Sequence, residues 1–110
     1  MPRPKGKSRM SRIEENALLG QLIKAIASCE SEEELSALLT DLCTVYELEE
    51  MAQRLELAKG LYEGETYESL RKRLGASNTT ITRVSSALSY GAGGYKSVLL
   101  KLRKLGMDDV

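Results

Sequence analysis

Side chains that donate and accept hydrogen bonds crowd one short stretch, residues 77–86, which reads SNTTITRVSS. Amide, hydroxyl and guanidinium groups of this kind bind phosphates and the edges of bases. An asparagine can pair bidentately with adenine, and a threonine offers a hydroxyl together with a methyl group for thymine. A helix that only covers a core usually presents charged residues to water. The stretch therefore predicts a helix that reads nucleic acid.

Other kinds of chemistry have few candidate residues in this chain. The absence of histidine removes the commonest acid–base catalyst, and Cys29 and Cys43 cannot supply the four ligands of a structural zinc site. We predict two buried thiols, no enzymatic activity, no metal and no cofactor. Gly91, Gly93 and Gly94 follow a helical pattern rather than a strand, so they indicate a helix connector and not a dinucleotide-binding loop.

Length and composition are typical of one small globular domain. A chain of 110 residues with 42% hydrophobic residues is ordinary for a single folded domain and too apolar for a disordered one. No apolar run approaches the roughly 20 residues that span a bilayer. The N-terminal sequence MPRPKGKSRMSR lacks the apolar segment of a signal peptide. We therefore expect a cytoplasmic protein with no membrane partner.

Charge is segregated along the chain, although the formal net charge is zero. Residues 25–53 contain acidic charges only, whereas Glu68 is the single acid between Thr66 and Lys104, a segment with eight bases. Such asymmetry predicts a polyanion as the partner of the basic regions, with solvated helix faces as the alternative. Residues 1–12 are predicted to form a flexible basic arm, because Pro2, Pro4 and Gly6 oppose helix formation.

Helical signals dominate the remaining sequence, residues 13–110, so the predicted fold class is all-α. Capping boxes at Ser11–Glu14, Ser31–Glu34 and Thr44–Glu47 predict the starts of three helices, and the first helix carries a wide apolar stripe to about Ser28. The third helix is expected to bury Leu48, Met51, Leu55, Ala58 and Leu61 or Tyr62. A last helix, from about Lys96 to Leu105, is expected to bury Val98, Leu99, Leu102 and Leu105.

Two short helices joined at Gly75 form a helix-turn-helix pattern at about residues 67–88. Thr66 and either Ser77 or Asn78 are the predicted N-caps, and Gly75 supplies the left-handed turn residue. In DNA-binding proteins the first helix of this motif crosses the backbone and the second places its N-terminal residues against base edges. The faces left over by the apolar residues carry Arg71, Lys72 and Arg73 on the first helix and Asn78, Thr79, Thr82, Arg83, Ser85 and Ser86 on the second. A purely structural helical hairpin is the alternative.

The span from Cys43 to Leu88 resembles the Trp repressor. The matching pieces are Thr44, Glu47, Arg54, Leu61, Gly64–Glu65, Leu70, LGA at 74–76 and TITR at 80–83. The continuation YGAGGYKSVL, with DLCT at 41–44 and MAQRL at 51–55, is similar to the YerC/YecD group of Trp repressor-like proteins. The resemblance implies a six-helix, all-α fold that forms an intertwined homodimer. It also implies a sequence-specific transcriptional regulator, a repressor, that binds a palindromic operator in double-stranded DNA.

In that family tryptophan binds beside the helix-turn-helix, and the resemblance carries its pocket onto Thr44, Arg54, Thr80, Arg83, Val84 and Ala87. Two of these positions depart from the family pattern: Val84 replaces a glycine, and Ala87 replaces a serine that helps to hold the amino group. A valine side chain occupies the volume of the indole ring. A buried ammonium without its acceptor costs about 1–3 kcal/mol. We therefore expect a vestigial pocket and no response to tryptophan.

On this interpretation Arg54 and Arg83 are available for phosphates. The candidate DNA-binding set is then Arg54, Arg71, Lys72, Asn78, Thr79, Thr80, Thr82, Arg83 and Ser86. One departure concerns packing: Arg71 stands where many such motifs hold a small residue that lets the two helices approach. A second concerns base recognition: Glu68 replaces an arginine that contacts guanine in the family, so the operator sequence should differ. Two other functions stay open, namely a regulator with a different small-molecule effector and a helical protein–protein adaptor.

Overall fold

The structure is a computed structural model that describes residues 8–106. Every regular element within that range is an α-helix, and there are seven: α1 (Arg9–Glu15), α2 (Ala17–Ser28), α3 (Glu32–Leu42), α4 (Val45–Tyr62), α5 (Tyr67–Leu74), α6 (Asn78–Tyr90) and α7 (Gly94–Lys104). The all-α prediction is confirmed. The chain divides into two compact units, Met1–Val45 and Tyr46–Val110.

The first helix begins earlier than predicted. Ser8, not Ser11, is its N-cap, because the Ser8 Oγ accepts a hydrogen bond of 3.1 Å from the backbone N of Ser11. The predicted capping box at Ser11–Glu14 is therefore wrong, since a serine three residues upstream offers the same cap. Arg9 and Arg12, assigned to the flexible arm, lie in α1. The rest of that arm, residues 1–7, lies outside the described residues.

The predicted single helix from Ser11 to Ser28 is divided at Asn16, which explains seven helices in place of six. The backbone of Asn16 is extended, with φ −89° and ψ 114°. Its Oδ1 accepts hydrogen bonds of 3.0 Å from the backbone N of both Leu18 and Leu19. A short polar side chain of this kind competes with the helical backbone and caps the next helix instead.

The first unit buries no side chain among its described residues, 8–45. On α2, Leu18 is 77% exposed and Ile23 is 52% exposed. Helix α3 begins as predicted, with the Ser31 Oγ accepting a 3.1 Å hydrogen bond from Glu34 N. Cys29 and Cys43 are only half-buried free thiols, so the prediction that both are buried is wrong. Small domains fold by burying apolar surface. Because none of the described residues of this unit is buried, the unit lacks a core of its own.

The hydrophobic core lies in the second unit, where α4–α7 meet. Its buried members are Leu57, Ala58, Leu70, Ala76, Ile81, Val84 and Leu99. Leu61, Leu74 and Tyr95 pack against this cluster. The core is therefore built around the helix-turn-helix and holds its two helices together.

Parts of the predicted core are wrong. On α4 the buried residues are Leu57, Ala58 and Gly60, whereas Met51 and Leu55 are exposed. On α7 Leu99 is buried and Leu102 is half-buried, but Val98 and the C-cap residue Leu105 are exposed. Ala58 is buried as predicted. The core covers only the C-terminal half of α4, so Met51 and Leu55 lie beyond it and Leu57 and Gly60 are buried beside Ala58. No helix in residues 8–106 is long and apolar enough to cross a membrane.

Candidate nucleic-acid interface

The turn between α5 and α6 has the geometry predicted for a helix-turn-helix. The Thr66 Oγ1 caps α5 by accepting a 3.1 Å hydrogen bond from Ser69 N. Gly75 is left-handed, with φ 68° and ψ 18°, and its N donates to the Arg71 carbonyl at 2.8 Å. The Ser77 Oγ caps α6 by accepting a 3.2 Å hydrogen bond from Thr80 N. The N-cap is therefore Ser77, and Asn78 becomes the first helical residue.

Helix α6 has one buried side and one exposed polar side. Ile81 and Val84 are buried against Leu70 of α5 and the rest of the core. The opposite side presents five exposed residues at helical spacing: Asn78, Thr79, Thr82, Arg83 and Ser86. Buried and polar residues thus follow two separate stripes of the same helix. The side available to a partner consists of hydrogen-bonding groups.

Most of the candidate residues lie on the two helices of this motif. Arg71 and Lys72 are exposed on α5. Two candidates differ from expectation, since Arg54 on α4 and Thr80 on α6 are half-buried. The Thr80 Oγ1 accepts a 3.1 Å hydrogen bond from the Ser77 Oγ. Thr80 therefore takes part in the cap of α6.

Two basic side chains of α5 have polar neighbours in the structure. Arg71 Nη1 donates to Asn78 Oδ1 at 2.6 Å. Lys72 Nζ lies 3.2 Å from Glu68 Oε1, with the two side chains 78% and 67% exposed. A pair so open to water contributes little to stability. Lys72 is thus held only weakly, whereas Arg71 joins the first helix of the motif to the start of the second.

Arg73 connects α4, the following turn and α5. Its Nε and Nη2 donate to the two carboxylate oxygens of Glu65 at 3.0 and 2.8 Å, and its Nη1 donates to Glu56 Oε2 at 2.8 Å. The Ser69 Oγ also donates to Glu65 Oε2, at 2.6 Å. The hydrogen bond from Arg73, followed by that from Ser69, lowers the pKa of Glu65, and the two carboxylates raise the pKa of Arg73. Arg73 therefore links the first helix of the helix-turn-helix to α4 and to the turn that follows it.

Residues that position the motif were missed in the sequence. Gln53 Nε2 on α4 donates to the Leu74 carbonyl at the end of α5, at 3.0 Å. A Cβ on Gly60 would lie 2.7 Å from both Glu65 Oε1 and Leu70 Cδ2, so glycine allows α5 to approach α4 closely. The four-residue spacing of Glu65, Ser69 and Arg73 is a sequence pattern from which their contacts could have been predicted. Contacts from α4 have no such local signal.

Comparison with known proteins identifies the family. The family model described as Trp repressor protein matches residues 17–103. The chain belongs to the Trp repressor family. YerC of Bacillus subtilis (strain 168), an uncharacterized protein, is 41% identical over 86 residues, which cover 78% of this chain and 83% of that protein. The resemblance to the YerC group is thereby confirmed.

Two solved structures are similar to this Trp repressor family member over most of their length. A TrpR-like protein from Eubacterium eligens ATCC 27750 has a TM-score of 0.75 and 38% identity, over 84% of this chain and 93% of that one. A Staphylococcus aureus structure described as a candidate Trp repressor has a TM-score of 0.80 and 34% identity, over 88% and 96%. Family and fold together make this chain a helix-turn-helix protein of the DNA-binding regulator class.

The positions corresponding to the family's tryptophan pocket have varied surroundings in this chain. Val84 is buried in the core cluster, and Ala87 is half-buried on the same helix. Arg83 is exposed, and Thr44, also exposed, belongs to the first unit. The side chain of Val84 is thus part of the core.

No group of three or more His, Cys, Asp or Glu side chains that could hold a metal ion occurs in residues 8–106.

A Glu65→Gln variant of this Trp repressor family member is expected to be less stable than wild type at neutral pH. Because the folded-state pKa of Glu65 lies below its ordinary value of 4.5, the ionised carboxylate contributes stability that is fully present above pH 4.5. That contribution disappears as the pH falls through the lowered pKa. Denaturant unfolding of both proteins from pH 7 to pH 3 measures this difference.

The matched control is Glu68→Gln, which removes the carboxylate of the exposed pair with Lys72. Little change in stability is expected there at any pH. A difference between wild type and Glu65→Gln that stays constant from pH 7 to pH 3 would contradict the role given to the ionised carboxylate.

Proposed function

We propose that this protein is a cytoplasmic, sequence-specific transcriptional regulator, a repressor, that binds a palindromic DNA operator as a homodimer. The observation that carries the proposal is the two-sided helix α6. Ile81 and Val84 fix one side in the core, while the other side presents the exposed residues Asn78, Thr79, Thr82, Arg83 and Ser86. A helix anchored in this way offers its N-terminal half to the major groove.

The chemistry of the exposed groups supports a division between positioning and reading. Arg71, Lys72 and Arg83 carry fixed positive charge and suit phosphates, which set register and orientation. Asn78, Thr79 and Thr82 lie in the first turns of α6 and suit base edges. Arg54 and Thr80 are half-buried and contribute less: Arg54 supplies a further phosphate contact, and Thr80 takes part in the cap of α6. Arg73 is left out of the set, because two carboxylates already bind it.

The first unit supports the homodimer. Residues 8–45 bury no side chain within one chain, although α2 reads ALLGQLIKAIAS and is mostly apolar. A second copy is the partner that matches this surface, because a two-fold dimer pairs the same apolar patch with itself. In such a dimer the two α6 helices would enter successive major grooves about 34–36 Å apart, one turn of B-DNA.

The test is a binding-site selection from random DNA, followed by titration of the selected site at several salt concentrations. A palindromic motif is expected, together with an affinity that falls steeply with salt, by a slope of about 0.9 for each phosphate contacted. An adaptor that binds a basic protein would enrich no motif. Enrichment of no sequence at low salt would overturn the proposed function.

Tryptophan is not expected to bind this protein with micromolar affinity. Val84, which stands where the family's pocket has a glycine, has a buried side chain, and Ala87 provides no hydroxyl for the ammonium group. Titration calorimetry with tryptophan measures the affinity directly. The variant Val84→Gly, checked for folding by circular dichroism, serves as the comparison because it restores the missing space. Heat of tryptophan binding to the wild type in the micromolar range would show that the pocket is intact.

A further inference from the structure

Arg71 and Asn78 lie on opposite sides of the turn and are joined by a hydrogen bond. Arg71 Nη1 donates to Asn78 Oδ1 at 2.6 Å, and a hydrogen bond with a charged donor is stronger than one between neutral groups. Both backbones are fixed nearby, because the Arg71 carbonyl accepts from Gly75 N at 2.8 Å and the Ser77 cap holds the start of α6. The contact therefore joins two rigidly placed residues.

This contact determines which way the Asn78 amide faces. A guanidinium carries donors only, so it donates to the Oδ1 edge of the amide and excludes the Nδ2 edge, which is also a donor. Both hydrogens of Nδ2 and the second lone pair of Oδ1 stay available for a base. Without Arg71 the amide can turn over and exchange the positions of its donor and acceptor. A side chain that can present either arrangement of donor and acceptor to a base discriminates poorly between bases.

We propose that Arg71 is a positioning residue that sets the base preference of Asn78. The inference rests on the proposed function, and it adds that one basic residue of α5 contributes to specificity. Arg71 keeps other N–H groups for a phosphate, since only one of its five donors is used by Asn78. Its replacement should therefore have two effects, a general loss of affinity and a loss of preference at one base pair.

Lys72 offers a matched control on the same helix. It is the next residue, it carries the same charge, and its partner is Glu68 rather than a residue of α6. A residue that serves phosphates alone should weaken binding to all sequences about equally and lower the salt slope by about one. Lys72→Ala is expected to do only this.

The test compares the selected motifs of wild type, Arg71→Ala, Lys72→Ala, Asn78→Ala and the double variant Arg71→Ala/Asn78→Ala at one salt concentration. Asn78→Ala should relax preference at a single base pair by roughly tenfold, the discrimination of one good side-chain–base pair. Arg71→Ala should relax preference at the same base pair by a similar factor. The double variant should relax it no further, because the two residues act as one unit.

A second measurement detects the contact without DNA. In the nuclear magnetic resonance spectrum of the free protein, Arg71→Ala should shift the Asn78 side-chain amide signals, and Lys72→Ala should leave them in place. Unchanged signals in Arg71→Ala, or an unaltered motif in that variant beside a relaxed one in Asn78→Ala, would overturn this inference alone. Failure of the wild type to enrich any motif would overturn the proposed function as well.

Discussion

Replacement of Leu70 by alanine is expected to lower the free energy of unfolding by about 2–5 kcal/mol, the range for truncating a fully buried leucine. Leu70 is completely buried and is the only buried residue of α5. Its side chain fills the space between Gly60 of α4 and the inward residues of α6. The lost methyl groups would leave a cavity at the centre of the helix-turn-helix, since packed cores collapse only partly around a deletion.

Denaturant unfolding at a fixed protein concentration measures this loss, because the stability of the proposed dimer would depend on concentration. Leu105→Ala is the control: it makes the same truncation at a side chain that is 69% exposed and should change stability by about 0.5 kcal/mol or less. DNA affinity should fall with stability in Leu70→Ala, because α5 loses its only buried anchor. Equal stabilities of the two variants would show that α5 is held by its ion pairs rather than by Leu70.

A Leu18→Asp variant is expected to be monomeric at micromolar concentration and to lose operator binding. Leu18 is 77% exposed in the single chain, so an aspartate there disturbs no packing within that chain. In a two-fold dimer the substitution occurs twice and places two charges in an apolar interface. A loss of about 2–4 kcal/mol, the range for a central interface residue, weakens dimerisation by roughly 30- to 700-fold.

The choice of Leu18 also ensures that loss of the dimer would not simply reflect loss of helix α2. Leu18 lies in the first turn of α2, where an aspartate interacts favourably with the helix dipole. Lys24→Asp introduces the same side chain on the polar side of α2 and should remain dimeric. Light scattering gives the mass, and circular dichroism reports the helical content. A dimeric Leu18→Asp protein would mean that α2 is not the contact between the copies.

Local side-chain chemistry explains why much of the helix-turn-helix was predictable. Thr66 can cap only a helix that starts after it, and Gly75 takes a left-handed conformation at little cost. The apolar spacing of Leu70, Ile81 and Val84 predicts their burial, and it thereby predicts which side of α6 is exposed. These signals span a few residues and do not depend on the rest of the fold.

Competition between equally good local signals already limits such predictions at the first helix. Ser8 and Ser11 are both competent caps, and Asn16 interrupts a stripe that reads as continuous. On α4 the stripe through Met51 and the residues around Leu57 are both apolar, and only packing against other helices decides between them.

The sequence by itself determined the fold class, the family and the exposed polar side of α6, because helical periodicity and capping are encoded within a turn or two of the chain. Only the tertiary structure decided the partners of Arg71 and Arg73 on α5. Arg73 binds Glu56, seventeen residues away, and Arg71 binds Asn78, seven residues away across the turn. Three neighbouring basic side chains thus acquire different roles, because hydrogen bonding depends on how α4, α5 and α6 approach one another, and charge alone does not specify that approach.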